Sequence, residues 1–325
     1  MGKKKATSFA EEIERKITKE YRVPLWCKFT KAVKMYHLIE EGDNVCCCIS
    51  GGKDSMLLAL LLKHLHKYSD FPFGLKFLVM DPGYNKINLE AIKINLRKLE
   101  IPATIIKTDI FEIANNVAES PCYLCAKMRR GALYRIAKMW GCNKIALGHH
   151  YDDVIVTTLM NMLNSGSFQT MLPKLPSTHY SGMELIRPLF LVKEDDIIRF
   201  KDENGLQFIQ CACKFTEANK DLVLGAGGSQ RKQTRMLIQE LAKTYNPLVE
   251  KNIFQAANNV QADKILGYKQ GKELHSFLDD YDQKKVAQFQ LIEEEGVEEQ
   301  AIEKAMREHR EFEVEEVFSF DEKQN

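Results

Sequence analysis

Apolar positions recur along this chain in two rhythms, one suited to helices and one to strands. From residue 8 to 42, Phe9, Ile13, Ile17, Trp26, Phe29, Val33 and Leu38 stand among charges, which predicts helical structure. Residues 44–49 (NVCCCI) are a short apolar run that ends at a glycine pair, the pattern of a buried strand. A helix is predicted at about 54–67, and LKFLVM (75–80) is a second strand closed by the turn Asp81-Pro82-Gly83. Helical periodicity returns over 87–100, and ATIIK (103–107) is a third strand. A short helix at 109–117, a loop around Pro121 and a helix over 124–140 precede a fourth strand at 144–148 (KIALG). A helix over 152–164, a fifth strand at 184–189 (ELIRPL) and a helix over 193–204 complete the alternation.

Strands alternating with helices imply an α/β fold, a parallel sheet with helices on both faces. Ligands of such sheets bind beyond the carboxyl ends of the strands, so the chemistry is expected just after Ile49, Met80, Lys107 and Leu147. Residues 206–259 are expected to be mostly helical, with a glycine-rich break at 225–228, and the Glu-rich tail to be partly helical or disordered. This divides the chain into an N-terminal helical segment (1–42), a catalytic domain (43–215), a helical part (216–265) and an acidic tail (266–325).

Charge adds a polarity that the net value of +1 hides. Residues 271–325 hold 17 acidic and 7 basic side chains, and the rest of the chain 28 acidic and 39 basic. Residues 1–35 alone hold 10 basic and 4 acidic side chains, so the body suits a polyanionic partner. The longest apolar run, Met56–Leu62, is far short of a membrane span, and the charged N-terminus lacks the apolar core of a signal peptide. The expected location is the cytoplasm. Nine cysteines are then expected to be buried thiols, metal ligands or catalytic groups.

Three clusters carry chemistry. Ser50-Gly51-Gly52-Lys53-Asp54-Ser55 follows a strand and opens a helix. Glycines there let backbone amides approach an anion, the helix N-terminus adds partial positive charge, and Lys53 adds a full one. The loop is a phosphate cradle of a type other than Walker A, whose G-x-x-x-x-G-K-[ST] pattern does not occur. The competing structural reading is a tight strand-to-helix turn with a capping serine.

Pro121-Cys122-Tyr123-Leu124-Cys125 places two thiols at a helix start, with Arg129 and Arg130 one turn further on. Zinc, a redox dithiol and a corner of an iron–sulfur cluster all fit a C-x-x-C pair. A third thiolate from Cys211 or Cys213 would make three on a [4Fe-4S] cluster and leave one iron open for sulfide, the competing reading being three unrelated thiols. Cys46, Cys47 and Cys48 lie in the predicted buried strand and are expected to be small core residues. Finally, Gly148-His149-His150-Tyr151-Asp152-Asp153 falls at the fourth strand end. An aspartate there can hold Mg²⁺ or act on a base, whereas His150 is expected to cap the following helix and Tyr151 to pack.

SGGKDSM, PCYLCAKMRRGALY, KIALGHHYDD and IRPL occur in this order over residues 25–215, and together they resemble the PP-loop ATP pyrophosphatases. Within that superfamily the chain is most similar to the tRNA-cytidine 2-thiolation family, which converts cytidine 32 of tRNA to 2-thiocytidine. The resemblance implies an adenine nucleotide alpha-hydrolase-like fold, ATP, Mg²⁺ and a [4Fe-4S] cluster. By this resemblance Ser50, Gly51, Gly52, Lys53, Asp54, Ser55, Met80, Gly148 and Asp153 bind ATP. Cys122, Cys125 and Cys211 hold the cluster, with Cys213 as the alternative third ligand, and Lys53, Arg129 and Asp153 are catalytic. The implied partners are tRNA and a sulfur donor such as a cysteine desulfurase, with a homodimer left open. Gly227-Gly228-Ser229-Gln230-Arg231-Lys232 is a further candidate phosphate contact. The alternatives are a PP-loop enzyme adenylating another acceptor and a non-enzymatic iron–sulfur RNA sensor.

Overall fold

The run Asn44–Ile49 forms β1, the centre of a six-stranded sheet in the computed structural model. The structure describes residues 7–115, 121–209, 230–279 and 281, without the side chains of 114, 115 and 121–123. Strand order is β3-β2-β1-β4-β6-β5, where β2 is Gly74–Asp81, β3 Ala103–Lys107, β4 Lys144–Ala146, β5 Lys174–Pro176 and β6 Glu184–Ile186. Every pairing is parallel except β5–β6. The chain runs outward from β1 to β3, then returns to the other flank of β1 with β4, so a crevice opens between the carboxyl ends of β1 and β4.

Burial on both faces explains why β1 reads as a continuous apolar run. Cys47 points into the larger core, with Leu57, Leu61, Phe29 and Phe200, whereas Cys46 and Cys48 point to the opposite face beside Tyr134, Ile136 and Cys142. Burial pushes the Cys47 thiol well above its ordinary pKa, as suits an inert core residue. Helix α3 (Lys53–Tyr68) buries every residue from Ser55 to Leu62, because it is packed by β1 and β2 on one side and by other helices on the rest.

The N-terminal helix α1 (Phe9–Lys19) is started by a capping box, in which Glu11 N–H donates to Ser8 Oγ at 3.2 Å and Ser8 N–H to Glu11 Oε2 at 2.9 Å. The predicted helix over 8–42 is not continuous. Pro24, which has no N–H to donate, sits in a π-helical turn, Arg22–Cys27, before α2 (Lys28–Met35). Helices α4 (Lys86–Lys98), α5 (Ile110–Asn115), α6 (Pro121–Met139), α7 (Tyr151–Ser165) and α8 (Glu194–Glu203) follow the expected alternation. Pro188 cuts the fifth expected strand to Glu184–Ile186, and β5 pairs antiparallel at the sheet edge, where Pro176 costs no ladder bond. Helices α9 (Gln230–Thr244) and α10 (Val249–Ala256) pack on α7 through Ile238, Ile155, Val156 and Phe254.

The chain separates into two compact units, Met1–Asn258 and Asn259–Asn325. In the second, residues expected to be helical or disordered form a hairpin instead, β7 (Gly267–Gln270) with β8 (Glu273–Ser276). Tyr268 stacks on His275 across it at 4.6 Å, a cross-strand pair that no local helical pattern reveals. The rest of the acidic tail, residue 280 and 282–325, lies outside the described residues. No helix among the described residues is long and apolar enough to cross a membrane.

Candidate active site

A cavity of about 410 Å³ occupies the crevice at the carboxyl ends of β1 and β4. Met80, Leu133 and Leu147 give it an apolar wall, Ser50 and Ser55 a hydroxyl floor, and Asp54 and Asp153 two carboxylates. Arg129, Arg130 and His149 complete its rim.

The turn from β1 into α3 is tight. Gly51 has φ +83°, and a Cβ there would fall 2.5 Å from Ile92 Cγ1, so only glycine fits. Ser55 closes the loop on itself: its hydroxyl donates to Gly52 O at 3.0 Å and accepts from Ser50 N–H at 3.1 Å. Gly148 lets the end of β4 approach the first turn of α3, where a Cβ would lie 3.0 Å from the Ser55 nitrogen. The two motifs, nearly a hundred residues apart, thereby share one wall.

Lys53 does not line the cavity. Its ammonium is 2.8 Å from Glu194 Oε1 and 3.0 Å from Asp54 Oδ1. Burial works against the Lys53 charge, but these two carboxylates outweigh it and raise the pKa. The Asp54 Oδ1 contact lacks hydrogen-bond geometry, so this buried oxygen has no hydrogen-bond partner among the described residues. A carboxylate oxygen in that state, within one cavity wall of Asp153, suits a hard cation such as Mg²⁺.

Around the GHHYDD segment the charges are denser. His150 is buried, with Asp152 at 3.4 Å, Asp153 at 3.6 Å, and Asp54 and Glu194 at 3.9 Å. Burial pushes its pKa down, but Asp152, Asp153 and Asp54 outweigh this and raise it. Its backbone also caps α7, donating to Asp153 Oδ2 at 3.1 Å, as its expected local role requires. Asp153 is buried, which raises its pKa, but His150 and Arg231 hold it below the usual carboxylate range. Arg231 reaches Asp153 Oδ1 from α9 at 3.0 Å. Of the candidate phosphate run 227–232, Gly227, Gly228 and Ser229 lie outside the described residues. His149 behaves in the opposite way to its neighbour. Burial, reinforced by Arg187, lowers its pKa to about 4, and its Nδ1 has no hydrogen-bond partner among the described residues. Burial and Arg130 lower even Arg187 to about 10, which marks this wall as electropositive. Tyr151 packs against Phe254, as expected, at 4.7 Å.

Cys122 and Cys125 share the first turn of α6. Cys125 packs beside Met80, Ile110 and Ala132, one residue before Ala126, which lines the cavity. The helix start therefore brings Cys125 beside the cavity wall, and a C-x-x-C pair is a donor set that suits two corners of an iron–sulfur cluster. Cys211 and Cys213 lie outside the described residues, although Ile209, just before them, donates its N–H to Gly51 O at 3.2 Å.

The sequence reading missed Glu194 and Arg235. Arg235, on α9, pairs with the Glu194 carboxylate, whose own backbone N–H donates to Asp152 Oδ2 at 2.7 Å. No local pattern marks these residues, because the Lys53–Glu194 pair spans 141 positions.

Comparison with known proteins places this site in context. A family model described as the PP-loop domain matches residues 25–214. The chain is 36% identical over 240 residues to the tRNA-cytidine(32) 2-sulfurtransferase of Geotalea uraniireducens (strain Rf4), which covers 73% of this chain and 91% of that protein. It is 35% identical over 241 residues to the protein of that name from Coxiella burnetii (strain Dugway 5J108-111), covering 73% and 90%. In fold it is similar to the U34-tRNA thiolase NcsA from Methanococcus maripaludis, whose structure holds a [4Fe-4S] cluster. The TM-score is 0.54 at 20% identity, over 72% of this chain and 79% of that one. With more than half of its length matched by the domain model and these relatives matched over nine-tenths of theirs, the chain belongs to the PP-loop family, among the tRNA-cytidine(32) 2-sulfurtransferases.

Proposed function

We propose that this protein is an ATP-dependent tRNA thiolase that converts cytidine 32 of tRNA to 2-thiocytidine. The observation that carries the reading is one cavity in which the Ser50–Ser55 loop, the carboxylates Asp54 and Asp153 and the guanidinium groups of Arg129 and Arg130 converge beside Cys125. Residues 43–215 form the catalytic body in this reading, and the basic residues among 1–35 meet tRNA phosphates.

The adenine lies against Met80, and the triphosphate runs along the Ser50–Ser55 loop toward the α3 N-terminus. The cytosine O2 attacks the α-phosphorus, and pyrophosphate leaves. Arg129 and Arg130 stabilise the charge that builds on the phosphoryl oxygens. Asp54 and Asp153 would hold Mg²⁺, which neutralises triphosphate charge when bound. Neutral His149 lines the cavity with its Nδ1 unpartnered among the described residues, which suits one hydrogen bond to the base. Cys122 and Cys125, with Cys211 or in its place Cys213, would hold a [4Fe-4S] cluster, which when bound supplies the sulfide that replaces the adenylated oxygen at C2. AMP leaves with that oxygen. The sulfide is replenished by a donor such as a cysteine desulfurase, and the enzyme works in the cytoplasm.

The test is tRNA-dependent pyrophosphate release by anaerobically reconstituted protein, read together with nucleoside mass spectrometry of the tRNA. Wild type is expected to release pyrophosphate and form 2-thiocytidine. Cys122→Ala is expected to keep the first and lose the second. Thiolation of a different nucleoside, or none with intact cluster and ATP, sinks the assignment.

A further inference from the structure

Glu194 opens α8 outside every motif that the sequence singles out, yet three parts of the site meet on it. Its carboxylate takes the Lys53 ammonium at 2.8 Å and also the Arg235 guanidinium of α9, and its backbone N–H holds Asp152 at 2.7 Å. The cation best placed in sequence to meet a triphosphate is thus turned onto a protein carboxylate and away from the cavity lining. The pair is mostly buried, with side chains 23% and 16% exposed, so it is weakly screened by salt.

Lys53 has two carboxylates, and they differ. Asp54 lines the cavity and sits next to Lys53 on the same helix turn. Glu194 does not line it, and it stands on a separate helix with a second cation already in place. When a carboxylate has one cation, removing that cation leaves a buried charge uncompensated, which is costly. Glu194 escapes that cost, because Arg235 still neutralises it after Lys53 departs. The arrangement therefore suits an exchange of anions on Lys53.

Resting on the reading that the cavity takes ATP, we propose that Glu194 is a positioning residue for Lys53. It holds the ammonium in the nucleotide-free protein and yields it to the triphosphate, remaining paired with Arg235. Ammonium, carboxylate and guanidinium keep a counter-charge on both sides of the exchange. The cost of ATP binding then includes breaking one ion pair, so Glu194 sets ATP affinity as a competitor.

The test is calorimetric titration of the full-length protein with magnesium–ATP, with thermal unfolding run in parallel to confirm folding. Glu194→Gln removes the competing charge but keeps an acceptor for Arg235. It is expected to tighten ATP binding about three- to tenfold. In a Lys53→Ala background the same substitution is expected to change nothing, which a merely structural role of Glu194 would not produce. Arg235→Gln leaves Glu194 to Lys53 alone and is expected to weaken ATP binding about two- to fivefold, and it carries the test if Glu194→Gln does not fold. Weaker binding in Glu194→Gln, or equal tightening without Lys53, overturns the proposal. If wild type binds no ATP, or Lys53→Ala binds it as well as wild type does, the ATP reading itself fails and this inference falls with it.

Discussion

The two ends of the parallel sheet both bury charge, and they treat it differently. At the amino end Lys144, only 2% exposed, lies 2.7 Å from Asp43 and 3.4 Å from Glu184, and donates to Leu38 O at 3.0 Å. Asn143 donates to the other Asp43 oxygen at 2.8 Å and accepts from Asn44 N–H at 2.7 Å. Every charge in that knot has a partner, as a purely structural ion pair requires. At the carboxyl end the charges are more numerous, yet Asp54 Oδ1 and His149 Nδ1 are buried without hydrogen bonds among the described residues. A closed polar network stabilises one arrangement of the chain. A network with polar atoms left over is suited to binding something else.

Substitutions at the two ends should therefore fail in different assays. The largest effect is expected from Lys53→Ala at the carboxyl end. It should slow tRNA-dependent pyrophosphate release about a thousandfold, by loss of a charge-assisted phosphate contact, with the melting temperature nearly unchanged. A wild-type rate of release would dissolve the distinction at its strongest point. At the amino end Lys144→Met should do the reverse. Stranding Asp43 should cost about 3 kcal/mol in urea unfolding, while ATP affinity of the folded protein stays as in wild type.

Asp153→Asn tests whether the carboxyl end separates binding from chemistry. Thiolation should fall about thirtyfold and ATP affinity by less than about threefold, because Asn keeps the shape and the α7 cap but loses the charge. Equal losses in both would make Asp153 a binding residue only. The smallest effect is a pH dependence. His149 has its folded pKa lowered to about 4, so the unfolded chain binds a proton before the folded one does as pH falls. Its contribution to stability is fully present above about pH 6.5 and is lost as pH falls toward 4. His149→Gln should remove about 2 kcal/mol of the stability difference between pH 7 and pH 5, measured by denaturant unfolding. An unchanged difference would place the acid sensitivity elsewhere.

What was legible in the sequence follows the range of the forces involved. The β1 run and its glycine loop are local: a buried strand must be apolar on both faces, and the turn at Gly51 admits no side chain, so NVCCCI-SGG announces both. The ends of β1 and β3 agree with the expected ones, although β3 is an edge strand and only partly buried. The hairpin 267–276 was misread because its strands are exposed and polar, held by pairing across a turn and not by a buried face. Strand β5 has no apolar run of its own and exists through its pairing with β6. In the site, the motifs identified most of the groups that line the cavity, but not which way Lys53 points. That depends on Glu194 and Arg235, which carry no chemistry visible in their own neighbourhoods.

The 141 residues between Lys53 and Glu194 have a consequence for how the protein is made. At roughly 5–20 residues per second, synthesis from one to the other takes about 7 to 28 s. During that interval the loop and α3 have left the ribosome's decoding centre while neither Glu194 nor Arg235 yet exists. The nascent chain thus passes through a period in which Lys53 has Asp54 beside it but not yet Glu194. The second counter-charge on that lysine is therefore a late product of synthesis, complete only once α8 and α9 have followed.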